Sequence, residues 1–372
     1  MPEEILHTLS FIPTVALGFI ALSIGAEFKL SYLKKVGKAP VIIAIMEGLF
    51  AILVVDAALI LTGHDVRFSL VLGAIASATA PAATLMVVRQ YKAKGPLTDL
   101  LLPIVALDDA VGLIVFAVSF GIAKTLVVGE MDLVSVIVNP LVEIVCSLGL
   151  GAIMGWILTQ LEKLFNSNTN RLNMTITFVF LTVALSMMDF HIGAVHISFS
   201  SLLVCMMLGT IFCNICPLSH DLMEKADRWT SPLFALFFVI SGAELELGVF
   251  TDWAVVVIGI VYIVFRSLGK YTGAYVSAKA TKCESSICKY LGITLLPQAG
   301  VALGMCTTAM QLGAEGNLIR NITLFAVLIY ELFGPLFTRQ ALMAAGDIKP
   351  MSDEVKMRRQ TKLEMAKQSK EK

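Results

Sequence analysis

Eleven long apolar runs follow one another along this chain, joined by short polar connections, and that pattern leaves little freedom for the fold. A helix needs about 20 mostly apolar residues to cross a hydrocarbon layer of roughly 30 Å, and each run meets or approaches that length. To within a few residues the runs are 11–30, 40–62, 68–88, 98–121, 133–158, 172–188, 195–214, 232–248, 253–275, 290–311 and 319–338. In lipid every backbone polar group must be satisfied internally, so such runs are read as helices. Composition agrees: 57% of the 372 residues are hydrophobic and 15% charged, where a soluble domain carries roughly a quarter charged. The expected fold class is an all-α polytopic membrane protein with about 11 transmembrane helices, not a soluble enzyme. The opening MPEEILHTLS has no basic n-region, so no cleaved signal peptide is expected.

Net charge is zero, which gives no hint of nucleic acid, and the position of the charges carries the information. With alternate loops on opposite sides, 22 of the 28 lysines and arginines fall on one side, three (Arg67, Lys124, Arg320) on the other, and three within spans. The rich side is the cytoplasm by the positive-inside rule, which places the N-terminus outside and the C-terminus inside. From 341 to 372 the chain turns polar and charge-dense and reads as a cytosolic tail following a membrane domain over 1–340.

Two landmarks recur. The first span ends in Gly25-Ala26-Glu27 and the eighth in Gly242-Ala243-Glu244, and at nearly the same offset Pro81 of the third span meets Pro297 of the tenth. Seven spans separate the copies, an odd number, so the second enters the membrane the other way up. Inverted-topology repeats (about 11–121 and 195–338) with two interrupted helices are the architecture of many secondary transporters, whose site lies near the midplane where the breaks meet.

The third span carries Ser77-Ala78-Thr79-Ala80-Pro81-Ala82-Ala83-Thr84 in its middle. Proline removes a backbone donor and clashes with the carbonyl four residues back, freeing carbonyls that, with the Thr79 and Thr84 hydroxyls, could face a cation. An ordinary kink is the alternative. The fourth span carries Asp108-Asp109, and buried carboxylates there cost several kcal/mol unless paired or hydrated. Neighbours on a helix point about 100° apart, so one acid can face an ion and the other a basic group.

Arg266 and Lys270, four apart on the ninth span, supply basic groups on one face. Arginine suits a fixed pair, whereas Lys270 either takes part in proton exchange or snorkels to the interface. Glu47 in the second span is assigned to Arg266. Asp56, Glu143 and Glu331 are read as lining polar cavities or helix ends, Glu27 and Glu244 as interfacial, and His191 and His196 as solvated in the loop between the sixth and seventh spans. The seven cysteines, including Cys213/Cys216 and Cys283/Cys288, suggest neither disulfides nor a metal site. With no Walker A, dinucleotide loop, HExxH or GxSxG in a usable setting, no nucleotide, cofactor or enzymatic reaction is expected.

The stretches GFIALSIGAEFKL, SATAPAATLMVVRQY, LLPIVALDDAVGLIVFAV, PLFALFFVISGAELEL, Arg266 to Lys270, and LLPQAGVALGM resemble the monovalent cation:proton antiporter superfamily, particularly bacterial sodium/proton antiporters with an Asp-Asp pair. The resemblance implies that Asp109 binds cation (Na⁺ or Li⁺) or proton alternately, and that Asp108 accompanies electrogenic members and contacts a basic residue of the ninth span. It also implies a homodimer in a bacterial cell membrane, with a core domain moving against a dimerisation domain. A glutamate in the second span paired with the arginine of the ninth, here Glu47 with Arg266, occurs in part of the superfamily that this chain resembles. Some relatives have lysine where this chain has Gln298, and the match begins at what would be the third of thirteen helices, implying that about two helices are absent. Rival readings are K⁺/H⁺ exchange, sodium-coupled symport, and a cation-binding channel or sensor without exchange.

Overall fold

The structure, a computed structural model, describes residues 11–31, 34, 37–128, 133–188, 190–192, 195–197, 199–243 and 253–348. Its helices are α1 (Phe11–Glu27), α2 (Lys38–Leu61), α3 (Val66–Ala76), α4 (Pro81–Tyr91), α5 (Pro96–Val128), α6 (Leu133–Glu162) and α7 (Asn168–Ser186). They continue with α8 (Ser201–Ile215), α9 (Ser219–Ala243), α10 (Trp253–Ala280), α11 (Ser285–Thr294), α12 (Gly300–Ala309) and α13 (Ala314–Ala344). All eleven apolar runs are helical over most of their length, and two of them are broken.

Five helices among the described residues are long and apolar enough to cross a membrane by themselves: Lys38–Leu61, Pro96–Leu126, Leu141–Glu162, Val255–Ala280 and Ala314–Ala344. The third and tenth runs miss that length because each is two half-helices, α3 with α4 and α11 with α12, around non-helical segments at 77–80 and 295–299. Pro81 opens α4, where the amide hydrogen it lacks would have had no helical partner.

Helix α10 packs against α2 in the antiparallel sense, since Gly273 meets Glu47 and Gly269 meets Ala51. A Cβ on Gly269 would lie 2.7 Å from the Ala51 Cα, and one on Gly273 2.8 Å from the Glu47 Cα. Only glycine lets the two backbones come this close. Because α2 and α10 run in opposite directions, the broken spans that follow them enter from opposite sides, which is the inverted repeat.

Four expectations change at their edges. Residues 195–197, 199 and 200 of the seventh run are not helical; Phe190–Ile192 and Val195–Ile197 form a short antiparallel ladder in which His191 stands opposite His196. Thus the two histidines sit in paired backbone, not an irregular loop. The eighth run is the second half of a longer helix, because the polar stretch from Ser219 continues into it without a stop. Residues 341–348 do not start a tail: Leu342 and Ile348 are buried in a cluster with Leu97, Leu101 and Leu291. Glu244 lies outside the described residues, as do the side chains of Glu27, His191 and His196.

Candidate functional site

The two breaks touch. The Ala80 amide donates to the Pro297 carbonyl at 2.9 Å, which ties the first broken span to the second at the centre of the bundle. Breaking a helix strands carbonyls at the end of its first half, and buried carbonyls need partners. Arg266 supplies them: Nε donates to the Ala76 carbonyl at 3.0 Å, Nη2 to Ala78 at 2.7 Å and Nη1 to Leu296 at 2.8 Å. Its guanidinium also lies 4.4 Å from the centre of the Tyr330 ring. Gln298 completes the set by donating to the Ile75 carbonyl at 2.9 Å and bonding the Tyr262 hydroxyl. A planar cation with forked donors suits this task because it serves both breaks at once and stays charged.

Arg266 is therefore not the partner of Glu47. Lys270 is: its Nζ sits 3.0 Å from Glu47 Oε1 and 2.9 Å from Oε2. The same ammonium reaches Asp108 Oδ2 at 2.8 Å and Thr79 Oγ1 at 2.8 Å, and the Thr79 hydroxyl donates to Asp108. Glu47, Asp108 and Lys270 are all fully buried, so Lys270 does not snorkel. The difference is one of depth: Lys270 lies ten residues from the end of α10 at Ala280 and Glu47 nine from the start of α2 at Lys38, whereas Arg266 is one turn deeper.

Asp109, 1% exposed, follows Asp108 on α5. Thr79 joins the acid and lysine cluster, while Thr84 donates at 3.2 Å to the Thr294 carbonyl of the other broken span. The carbonyls freed at the breaks are capped chiefly by Arg266 and Gln298. Asp56 lies away from the centre with its Oδ1 buried against Gly73 of α3, and Glu331 is on the exposed face of α13. Glu143 lines a cavity of about 340 Å³ with Phe116, Phe120, Lys124, Ser200 and Thr307. Phe116 is seven residues beyond Asp109 on α5, about two turns along the same face, so the cavity ends above the acid pair.

Tyr262, Gln298 and Tyr330 have no assigned role in the sequence reading. Tyr262 could have been found, since it precedes Arg266 and Lys270 at the same four-residue spacing and so shares their face. Gln298 and Tyr330 have no comparable signal, because their partners, the Ile75 carbonyl and Tyr262 hydroxyl for one and the Ile263 carbonyl, Ser267 hydroxyl and Arg266 guanidinium for the other, are brought to them only by the tertiary packing.

Inverted repeats whose broken helices cross beside buried acids define a polytopic membrane protein of the secondary-transporter kind. The family described as "Sodium/hydrogen exchanger, transmembrane" matches residues 3–344, and the chain belongs to that family. A curated relative, "Ammonium/H(+) antiporter subunit AmhT" of Alkalihalophilus pseudofirmus, is 24% identical over 245 residues, 65% of this chain. The chain spans about 60% of that relative's length. The sodium proton antiporter MjNhaP1 of Methanocaldococcus jannaschii, in a structure at pH 8, superposes with a TM-score of 0.68 at 16% identity, covering 92% of this chain and 88% of that one. An electron-microscopy structure of the same antiporter gives a TM-score of 0.65 at 14% identity, covering 93% and 87%. Likeness at this identity establishes the fold.

Proposed function

We propose that the chain exchanges a monovalent cation, Na⁺ or Li⁺, for protons across a bacterial cell membrane by alternating access. In this reading Asp109 takes the cation or a proton in turn, Asp108 and Thr79 assist it, and Lys270 competes with the cation for Asp108. The observation that carries the reading is the Asp108-Asp109 pair, buried beside the crossing of two broken helices. Two adjacent carboxylates are disfavoured when empty and ionised in a low-dielectric site, so the site crosses the membrane loaded with one ligand or the other. In this reading the cavity lined by Phe116 and Glu143 is the vestibule on one side of the site. The lysine and arginine distribution supports a cytoplasmic C-terminus, which makes that vestibule the external one. The protein acts as a homodimer, as the resemblance implies.

The name of the curated relative raises ammonium as a competing substrate, and K⁺ is the other rival. Proteoliposomes with a preset pH gradient decide among them: NaCl, LiCl, KCl or NH₄Cl is added to wild type and to Asp109→Asn. Collapse of the gradient by Na⁺ or Li⁺ in wild type, lowered at least 100-fold in Asp109→Asn, is the expected result. A response confined to NH₄⁺ and exceeding that of the variant, which controls for ammonia leak, replaces the substrate. Absence of proton movement with any cation in folded wild type refutes exchange.

A further inference from the structure

The Lys270 ammonium has three N–H groups and three acceptors around it: a Glu47 carboxylate oxygen, the Thr79 hydroxyl and Asp108 Oδ2, at 3.0, 2.8 and 2.8 Å. Two carboxylates from different helices, α2 and α5, thus share one lysine from α10. Arg266 stands one turn away but is committed to three backbone carbonyls, so it cannot replace Lys270 as the counter-ion of either acid.

A cation bound between Asp109 and the free Oδ1 of Asp108 draws on the same negative charge that Lys270 neutralises through Oδ2, so the two compete for Asp108. An ammonium in a fully buried site cannot simply be released, because an uncompensated charge there is strongly destabilising. We propose that Glu47 is the resting place of Lys270: when the cation claims Asp108, the ammonium stays on Glu47 and Thr79, keeping two of its three acceptors and one full negative charge. Glu47 then acts as a positioning residue that sets how tightly the site holds its substrate, although it does not touch the substrate itself. The packing supports a fixed platform of this kind. Gly273 brings the α10 backbone against Glu47, where a Cβ would lie 2.8 Å from the Glu47 Cα, and Gly269 does the same one turn on at Ala51. The α2 backbone that carries Glu47 is therefore held by close contact, while Asp108 meets the lysine from α5, next to Asp109.

The inference rests on cation/proton exchange at Asp109, and the experiment separates failure of one from failure of the other. Sodium-dependent and lithium-dependent proton movement is titrated in proteoliposomes for wild type, Glu47→Gln and Glu47→Asp. With glutamine, Lys270 has only Asp108 as an anion and yields it reluctantly. The apparent KM for Na⁺ rises at least tenfold, while the maximal rate changes less than threefold; Glu47→Asp restores KM to within about threefold of wild type. As a second measurement, Na⁺ affinity is read by calorimetry on the purified Lys270→Met protein with and without Glu47→Gln. With the ammonium gone, the glutamine has no further effect on affinity. An unchanged KM in folded Glu47→Gln, or an equal loss of Na⁺ affinity with and without Lys270, overturns the inference. If wild type itself exchanges nothing, it is the functional reading that fails.

Discussion

Helices α2 and α10 and helices α1 and α8 pack by the same device and bury opposite things. In each pair glycines let the backbones meet: Gly269 and Gly273 in the first, Gly25 and Gly209 in the second, where a Cβ would lie 1.8 Å from the Met206 carbonyl oxygen and 2.2 Å from that of Leu22. The first pair encloses Glu47 and Lys270. The second encloses Leu22, Cys205 and Met206 in the larger apolar core. Without a hydrophobic drive between helices in lipid, close packing of small residues holds both. Among the described side chains an ion pair is enclosed in only the first, so close contact serves as scaffold in one place and as the setting of an ion-pair network in the other.

Replacing Arg266 tests the charged side most severely. Arg266→Gln leaves the Ala76, Ala78 and Leu296 carbonyls without their guanidinium partner, a loss on the order of 3–5 kcal/mol. We expect little folded protein by size-exclusion chromatography. Arg266→Lys, which offers a single point charge in place of a fork, does not rescue it. A well-folded Arg266→Gln protein would show that the breaks hold themselves open without a cap.

Gly209→Val probes the apolar pair. The added side chain meets backbone that can yield only by parting α1 from α8, at a cost of about 3 kcal/mol or more. The midpoint of thermal unfolding in detergent should fall sharply, with the KM for Na⁺ of the surviving protein unchanged. A shift in KM would mean that the two packings are coupled and that the contrast drawn between them is too sharp.

The smallest effect is expected at the foot of α5. Asp347 accepts from the Thr98 amide at 2.6 Å and from its hydroxyl at 2.7 Å, so a residue beyond the end of α13 caps the helix that carries the acid pair. Loss of such a cap in Asp347→Ala costs about 1 kcal/mol. Differential scanning fluorimetry should register a modest drop, and transport should keep its KM. A KM change here would extend the charged network the length of α5.

Much of this was legible in the sequence, for physical reasons that also mark where legibility stops. Apolar length alone fixes the helices, because nothing but a helix satisfies the backbone in lipid. Proline at 81 and 297, at matching places in the two repeats, locates the breaks. The partner of Glu47 is Lys270 and not Arg266, because the choice between two bases one turn apart depends on how far α10 is slid along α2, which the sequence of neither helix encodes. Gly273 lies opposite Glu47, so Lys270 stands about one turn from it and Arg266 about two. Thr79 was placed beside the breaks, but its bond to Asp108 depends on the angle at which α3–α4 crosses α5, which no local pattern encodes. Asp347 was assigned to a polar tail because its partners lie some 250 residues earlier, and a single acid near a chain end has no periodicity to betray it.

The bond from Ala80 to Pro297 joins residues made far apart in time. A ribosome adding about 5–20 residues per second finishes the first broken span tens of seconds before the chain that completes it. Through that interval the carbonyls of Ala76 and Ala78 wait for Arg266, so the early helices cannot reach their final state however well they insert. Biosynthesis of this protein thus passes through a long-lived half-assembled form, and the cell's insertion machinery must shelter an open break until Arg266 and the second break arrive.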